Sequence, residues 1–288
     1  MDPLARHYVL TITCPDTIDI VAAVAGFLSR HELFITDTVH FGDPVTGRFF
    51  MRAVFLDRPG MPSLAALNAA FAEVGQRFQM EWHIRDHSAK PRLMVLVSRS
   101  DHCLNALLAR YRSGTLRVDI PAVVSNHTDL RGVVEWHGLA FHHLPVTKET
   151  KAEQEAAILE MVDRLGIELV VLARYMQVLS PEMCRALSWR CINIHHSFLP
   201  SFKGARPYHQ AYARGVKIIG ATAHYVTTDL DEGPIIEQGV ERVDHSHTAD
   251  DLAHIGRDIE SVVLCRAVEY HTQDRVLPNG TKTVVFRR

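Results

Sequence analysis

The 288-residue chain is 47% hydrophobic and 22% charged, with a formal net charge of −2. That is too apolar for a disordered chain, long enough for two domains with cores of their own, and too evenly charged to be drawn to nucleic acid or an anionic membrane. Five cysteines with no CxxC pair argue against a disulfide framework or a zinc ribbon; with no cationic, apolar leader and no run long enough to span a bilayer, the expectation is a cytoplasmic protein with reduced thiols.

Residues 7–13 (HYVLTIT) are dense in β-formers and predict a strand, interrupted by Cys14-Pro15-Asp16. In residues 17–30 Ile18, Val21, Val24 and Phe27/Leu28 recur at helical spacing. LFITDTVHF and RFFMRAVFL follow as two strands around a turn at Gly42-Asp43-Pro44. SLAALNAAFAEVGQRF is a second amphipathic helix and QMEWHIRD a last strand. The order β-α-β-β-α-β is the ferredoxin-like unit, expected over residues 1–86. Residues 87–91 are polar and are read as a linker.

From residue 92 to 288 the grammar changes. LMVLVS is short and almost wholly apolar, as a strand covered on both faces should be. CLNALLARYRSG is a helix ending at a glycine, followed by strands near VDIPAVVSN and AFHHLPV and a helix from Lys148 to Leu165. Strand IELVVLA, helix PEMCRALSWR and strand CINIH complete an α/β alternation, so the expected fold is a mostly parallel, Rossmann-like sheet. Ligands of such sheets lie beyond the carboxyl ends of the strands, which singles out the loop RYMQVLS after Ala173 and the loop after His195. IIGATAHYVTTDLDEGPIIEQGVERV reads as two strands around a loop at Asp229 to Pro234. Residues 249–271 form a long amphipathic helix, and Asn279-Gly280 between β-like runs signals a hairpin.

The chemistry concentrates in CINIHHSFLPSFKGARPYHQAY, residues 191–212. Residues i and i+2 of a strand face the same side, so Asn193 and His195 can share one cavity while Ile194 packs behind. A carboxamide can donate to a developing oxyanion and an imidazole can donate or pass a proton. Asp231, in an irregular loop closed by Gly233-Pro234, can orient or deprotonate a nucleophile. The three make an acyl-transfer constellation without a covalent nucleophile, so the attacker is water or a bound amine. Taken singly, an Asn-x-His at a strand end is also an ordinary cap and an Asp before Gly-Pro an ordinary turn residue. His196 points the other way, and His142-His143 and His245-x-His247 lack further ligands at fixed spacing, so no metal site is expected.

Three blocks in order, IELVVLARYMQVLSP, INIHHSFLPSFKGARPYHQAYARG and GATAHYVTTDLDEGPIIEQ, resemble the folate-dependent formyltransferase family over roughly residues 91–272. With His195-His196 where the transfer enzymes tend to have His-Pro, the likeness is to members that hydrolyse 10-formyltetrahydrofolate. The resemblance implies Asn193, His195 and Asp231 as the catalytic set, with Gly204, Gln210, Ala211 and Gly215 matching beside them. It implies pterin contacts, largely from backbone, near Gln177, Leu179, Val226 and Thr228, and apolar walls from Met176 and Val178. Folate is then the substrate, and no metal or nucleotide cofactor is implied. Transfer enzymes carry a glycine-rich turn after the first strand that cradles the acceptor's phosphate. Here Ser98 to Leu104 has lost those glycines, and Asp101 repels a phosphate, which points to water as acceptor. Transfer to another amine is the alternative, and a non-catalytic metabolite sensor a third. The N-terminal unit resembles the ACT domain, with Thr17 and Asp19 at the family's arginine and glycine positions. A side chain and a negative charge there oppose an amino-acid ligand, so the unit is expected to join chains into a homo-oligomer.

Overall fold

The computed structural model describes residues 6–57, 60–200 and 207–287. Two compact units divide the chain: Met1–Lys90 with Gln273–Gly280 and Val284–Arg288, and Pro91–Thr272 with Thr281–Thr283.

The first unit runs β1 (His7–Pro15), α1 (Ile20–Arg30), β2 (Phe34–Asp43), β3 (Arg48–Leu56), α2 (Leu64–Arg77) and β4 (Glu81–Asp86). Its antiparallel sheet has the order β2-β3-β1-β4, the predicted ferredoxin-like arrangement. One face of the sheet meets both helices: Leu10, Ile12 and Phe55 pack with Val24, Phe27 and Leu28 of α1 and Leu67 and Phe71 of α2. Ser63 caps α2 by accepting from the Ala66 N–H at 3.2 Å. Asp19, at the start of α1, has φ +70°, so the chain keeps a left-handed backbone where the ACT pattern has glycine.

The second unit comprises β5 (Arg92–Val97), α3 (His102–Ser113), β6 (Asp119–Ser125), α4 (Arg131–Trp136), β7 (Phe141–His143), α5 (Lys151–Arg164), β8 (Leu169–Leu172), α6 (Pro181–Ala186), β9 (Cys191–His195), α7 (Pro207–Ala213), β10 (Ile218–Tyr225), β11 (Ile235–Arg242) and α8 (Ala249–Thr272). The sheet order is β11-β10-β9-β8-β5-β6-β7. The run from β9 to β7 is parallel, and β10 and β11 add antiparallel edges. Central β5 is sealed from Leu93 to Val97, as its unbroken apolar run requires. The chain builds outward from β5 to β7, then returns through β8 to the other side, so the order reverses between β5 and β8. A crevice opens at such a reversal, beyond the carboxyl ends. The short helices α4 and α7 were not legible, because six or seven residues barely show a helical period and neither has the Ser-Pro start that marks α6. Gly204 lies outside the described residues.

The tail differs from the expected second domain running to residue 288. It forms the predicted hairpin, β12 (Val276–Asn279) and β13 (Lys282–Val285), around Gly280 at φ +62°. Leu277 and Phe286 cluster with Phe50 and Val39. Phe50 alternates with the helix-facing residues of β3 and so points to the sheet's other face, which the tail covers. Asn279 Nδ2 adds a hydrogen bond to Asp43 Oδ2 at 2.8 Å.

Candidate active site

Asn193 and His195 emerge on the same side of β9, with Ile194 buried behind them. The antiparallel register sets His224 of β10 opposite Asn193 and Thr222 opposite His195, so four polar side chains share a face. His224 escaped the sequence reading. Its Nδ1 faces the Tyr225 carbonyl at 2.9 Å and must donate there. In the neutral ring Nε2 is then an acceptor, and it takes a hydrogen from Asn193 Nδ2 at 3.3 Å. That contact turns the Asn193 amide so that its second N–H remains available. Thr222 Oγ1 donates to the Ser197 carbonyl at 3.0 Å and accepts from the Leu199 N–H at 3.1 Å and Gln238 Nε2 at 3.0 Å, fastening the chain just past His195.

Asp231 reaches this face by a loop that doubles back. Its first residue, Val226, bonds through N–H to the Cys191 carbonyl at 2.9 Å, at the start of β9. From there to His195 is four strand residues, about 13 Å. The reversal uses Asp231 itself at φ +58° and Gly233, which lies against the Tyr225 carbonyl with no room for a Cβ. At its end Asp231 Oδ1 stands 3.2 Å from His195 Nδ1 and 3.7 Å from His224 Nε2. The first is a hydrogen bond; the second is an electrostatic approach only. Burial pushes the Asp231 carboxyl up, but its surroundings, the hydrogen bond from His195 first, outweigh it and hold the group well below the usual carboxylate range. With Nδ1 committed to an ionised carboxylate, His195 has one free nitrogen, and Nε2 is buried without a partner among the described residues.

The RYMQVLS loop is pinned at both ends. The Met176 N–H donates to Ser98 Oγ at 3.0 Å and the Ser180 N–H to Glu155 Oε1 at 2.9 Å. Met176 and Val178 nevertheless stand 56% exposed, large apolar groups on an anchored loop. Gln177 is half-buried. Leu179 is spent in the core, where Val226 packs against the same cluster, so Leu179 has only its backbone to offer and the two loops meet. Thr228 is exposed. His196 stacks on His195 at 5.2 Å. Desolvation, with Arg174 and His195 nearby, brings its pKa down to about 4, so it is neutral at pH 7. All five cysteines are free and buried.

Residues 91–268 match the family model described as formyl transferase, more than half of the chain. A formyltetrahydrofolate deformylase of Corynebacterium sp. (strain P-1) is 50% identical over 287 residues, covering 100% of both chains. The crystal structure of a formyltetrahydrofolate deformylase from Burkholderia mallei is 52% identical with a TM-score of 0.92, covering 98% of this chain and 99% of its own. A glycinamide ribonucleotide transformylase from Symbiobacterium toebii is 30% identical with a TM-score of 0.65; the match spans 97% of that chain but 71% of this one.

Proposed function

The chain belongs to the formyl transferase family and, within it, to the formyltetrahydrofolate deformylases, and from that premise we propose that it hydrolyses 10-formyltetrahydrofolate to formate and tetrahydrofolate through Asn193, His195 and Asp231. The observation that carries the residue roles is the buried, unpartnered Nε2 of His195 beside the Asn193 amide, with Nδ1 held by Asp231.

Asp231, an ionised carboxylate, holds His195 through Nδ1, and the doubly protonated ring that enters the reaction points its Nε2–H at the substrate. The formyl oxygen lies between that N–H and the Asn193 amide. Water, deprotonated with help from Asp231, attacks the formyl carbon, and the two donors stabilise the tetrahedral oxyanion. Collapse breaks the bond to N10, which takes a proton from His195, and formate leaves. The reading calls for no metal or nucleotide cofactor. The pterin lies along Gln177, Leu179, Val226 and Thr228, contacted by backbone, with Met176 and Val178 as apolar walls. The enzyme works in the cytoplasm as a homo-oligomer. The open edge of β2, where Phe34 and Phe41 are exposed, supports pairing of two chains there. Among the described residues, no helix is long and apolar enough to cross a membrane.

The deciding assay is incubation with 10-formyltetrahydrofolate alone. Formate release without any acceptor is the expected result. Release only when an amine is added would favour transfer, and none at all a sensor.

Gly233→Ala is expected to cut formate release by about a hundredfold, because a Cβ driven onto the Tyr225 carbonyl moves the loop, and a displacement of roughly 1 Å at a reacting group costs that much. The melting temperature should fall with it. A Gly233→Ala protein of wild-type rate would show that the loop is not tuned this closely.

A further inference from the structure

The crevice at the sheet's reversal point, beyond the ends of β5 and β8, already holds a carboxylate, and it is the protein's own. Glu260 of α8 is 1% exposed. His102, the first residue of α3, meets its Oε2 through Nε2 at 2.7 Å. The Tyr208 hydroxyl donates to Oε1 at 2.7 Å, and Arg174 Nε, just past β8, stands 3.4 Å from Oε2. Arg174 holds a left-handed backbone, φ +61°, to stand there. Burial opposes the charge, but His102, Arg174 and Tyr208 outweigh it, so Glu260 is an anion.

A guanidinium, an imidazole, a phenol and the opening of a twelve-residue helix make an anion site with the anion built in. The site is buried: Arg174 Nη1 and His102 Nδ1 have no partner among the described residues. It also borders the reacting groups, since the His196 ring lies 5.2 Å from that of His195 and 6.5 Å from that of Tyr208. The ligand atoms of His102, Cys103 and Glu260 lie within 4.8 Å of one another, but a cation there is opposed by Arg174 on the same oxygen and by a Cys103 thiol that burial keeps protonated.

An amine acceptor has to bring its nitrogen to the formyl carbon beside His195. If it carries a phosphate, the start of α3 offers that group a helix N-terminus, and Glu260 stands there against His102. We propose that Glu260, clamped by His102, Arg174 and Tyr208, is the specificity determinant of this site, an internal anion that bars phosphate-bearing amines and leaves water as the attacker. The proposal rests on the hydrolytic reading given above.

Glu260→Gln keeps the shape but removes the charge, leaving Arg174 and the start of α3 uncompensated. Formate release is measured with inorganic phosphate, with O-phosphoethanolamine, and with ethanolamine as the phosphate-free control. Wild-type enzyme is expected to ignore all three. In Glu260→Gln, inorganic phosphate becomes an inhibitor competing about tenfold or more better than in wild type, the worth of one hydrogen bond to a charged group. O-phosphoethanolamine, but not ethanolamine, should also accept some formyl groups: its nitrogen attacks the formyl carbon, N10 leaves, and one amine proton passes to N10. Should Glu260→Gln be unstable, Glu260→Ala tests the same point, with a melting temperature higher in inorganic phosphate than in chloride of equal ionic strength. Phosphate inhibition as strong in wild type as in Glu260→Gln, or folded variants as indifferent to phosphate as wild type, overturns the proposal. A wild-type enzyme that releases no formate takes down the hydrolytic reading instead.

Discussion

Asp231→Asn is expected to slow formate release by about 10²–10⁴-fold, the usual worth of a positioned acid–base group, while the fold survives. Asparagine is the right replacement for a structural reason. Residue 231 sits at φ +58°, a region that Asn tolerates as well as Asp and that Ala does not. The substitution therefore removes charge and leaves the loop reversal unstrained. Without the carboxylate, the Nδ1–H of His195 loses the partner that fixes it, and on the proposed mechanism water loses its base. Stability gives an independent check. A carboxyl held below its ordinary value stabilises the fold fully above the unfolded pKa of about 3.9, and that contribution is lost as pH falls toward the folded value. The difference in urea midpoint between wild type and Asp231→Asn should thus be constant from neutral pH to about 5 and change below about 4. Turnover within a few-fold of wild type would remove Asp231 from the mechanism.

Asn193→Ala is expected to raise the barrier by about 2.7–4 kcal/mol, a loss of roughly 10²–10³ in kcat, as for removal of a single oxyanion donor. On the proposed role the amide acts on charge that develops in the transition state, so KM should move little. The variant also takes from His224 Nε2 its Asn193 partner. A parallel rise in KM with kcat unchanged would make Asn193 a binding residue and not an oxyanion donor. Steady-state kinetics of formate release over a range of folate concentrations separates the two.

Much of this architecture was legible because long, unlike periodicities sit side by side. The density of β-formers in RFFMRAVFL after a Gly/Pro turn and the helical spacing of α2 leave little choice about the first unit, and the apolar LMVLV can hardly be anything but a covered strand. Asn193 and His195 could be paired from one strand, since i and i+2 share a face whatever the neighbours do. His224 could not, because its place beside Asn193 is set by the β9–β10 register, which no single strand encodes. The sequence does hold a hint: Thr222 and His224 are also i and i+2, polar positions in an otherwise apolar strand. The pairing of His102 with Glu260 joins residues 158 positions apart, and the tail's return to Phe50 is likewise a tertiary choice. Local propensity contains neither.

Asn193, His195, His224 and Asp231 all fall in one stretch of chain inside one unit, on two neighbouring strands and the loop that leaves the second. The chain thus carries the whole proposed set itself, and no neighbour has to lend it one of these side chains. A change confined to the other unit therefore leaves the backbone that carries these four side chains untouched.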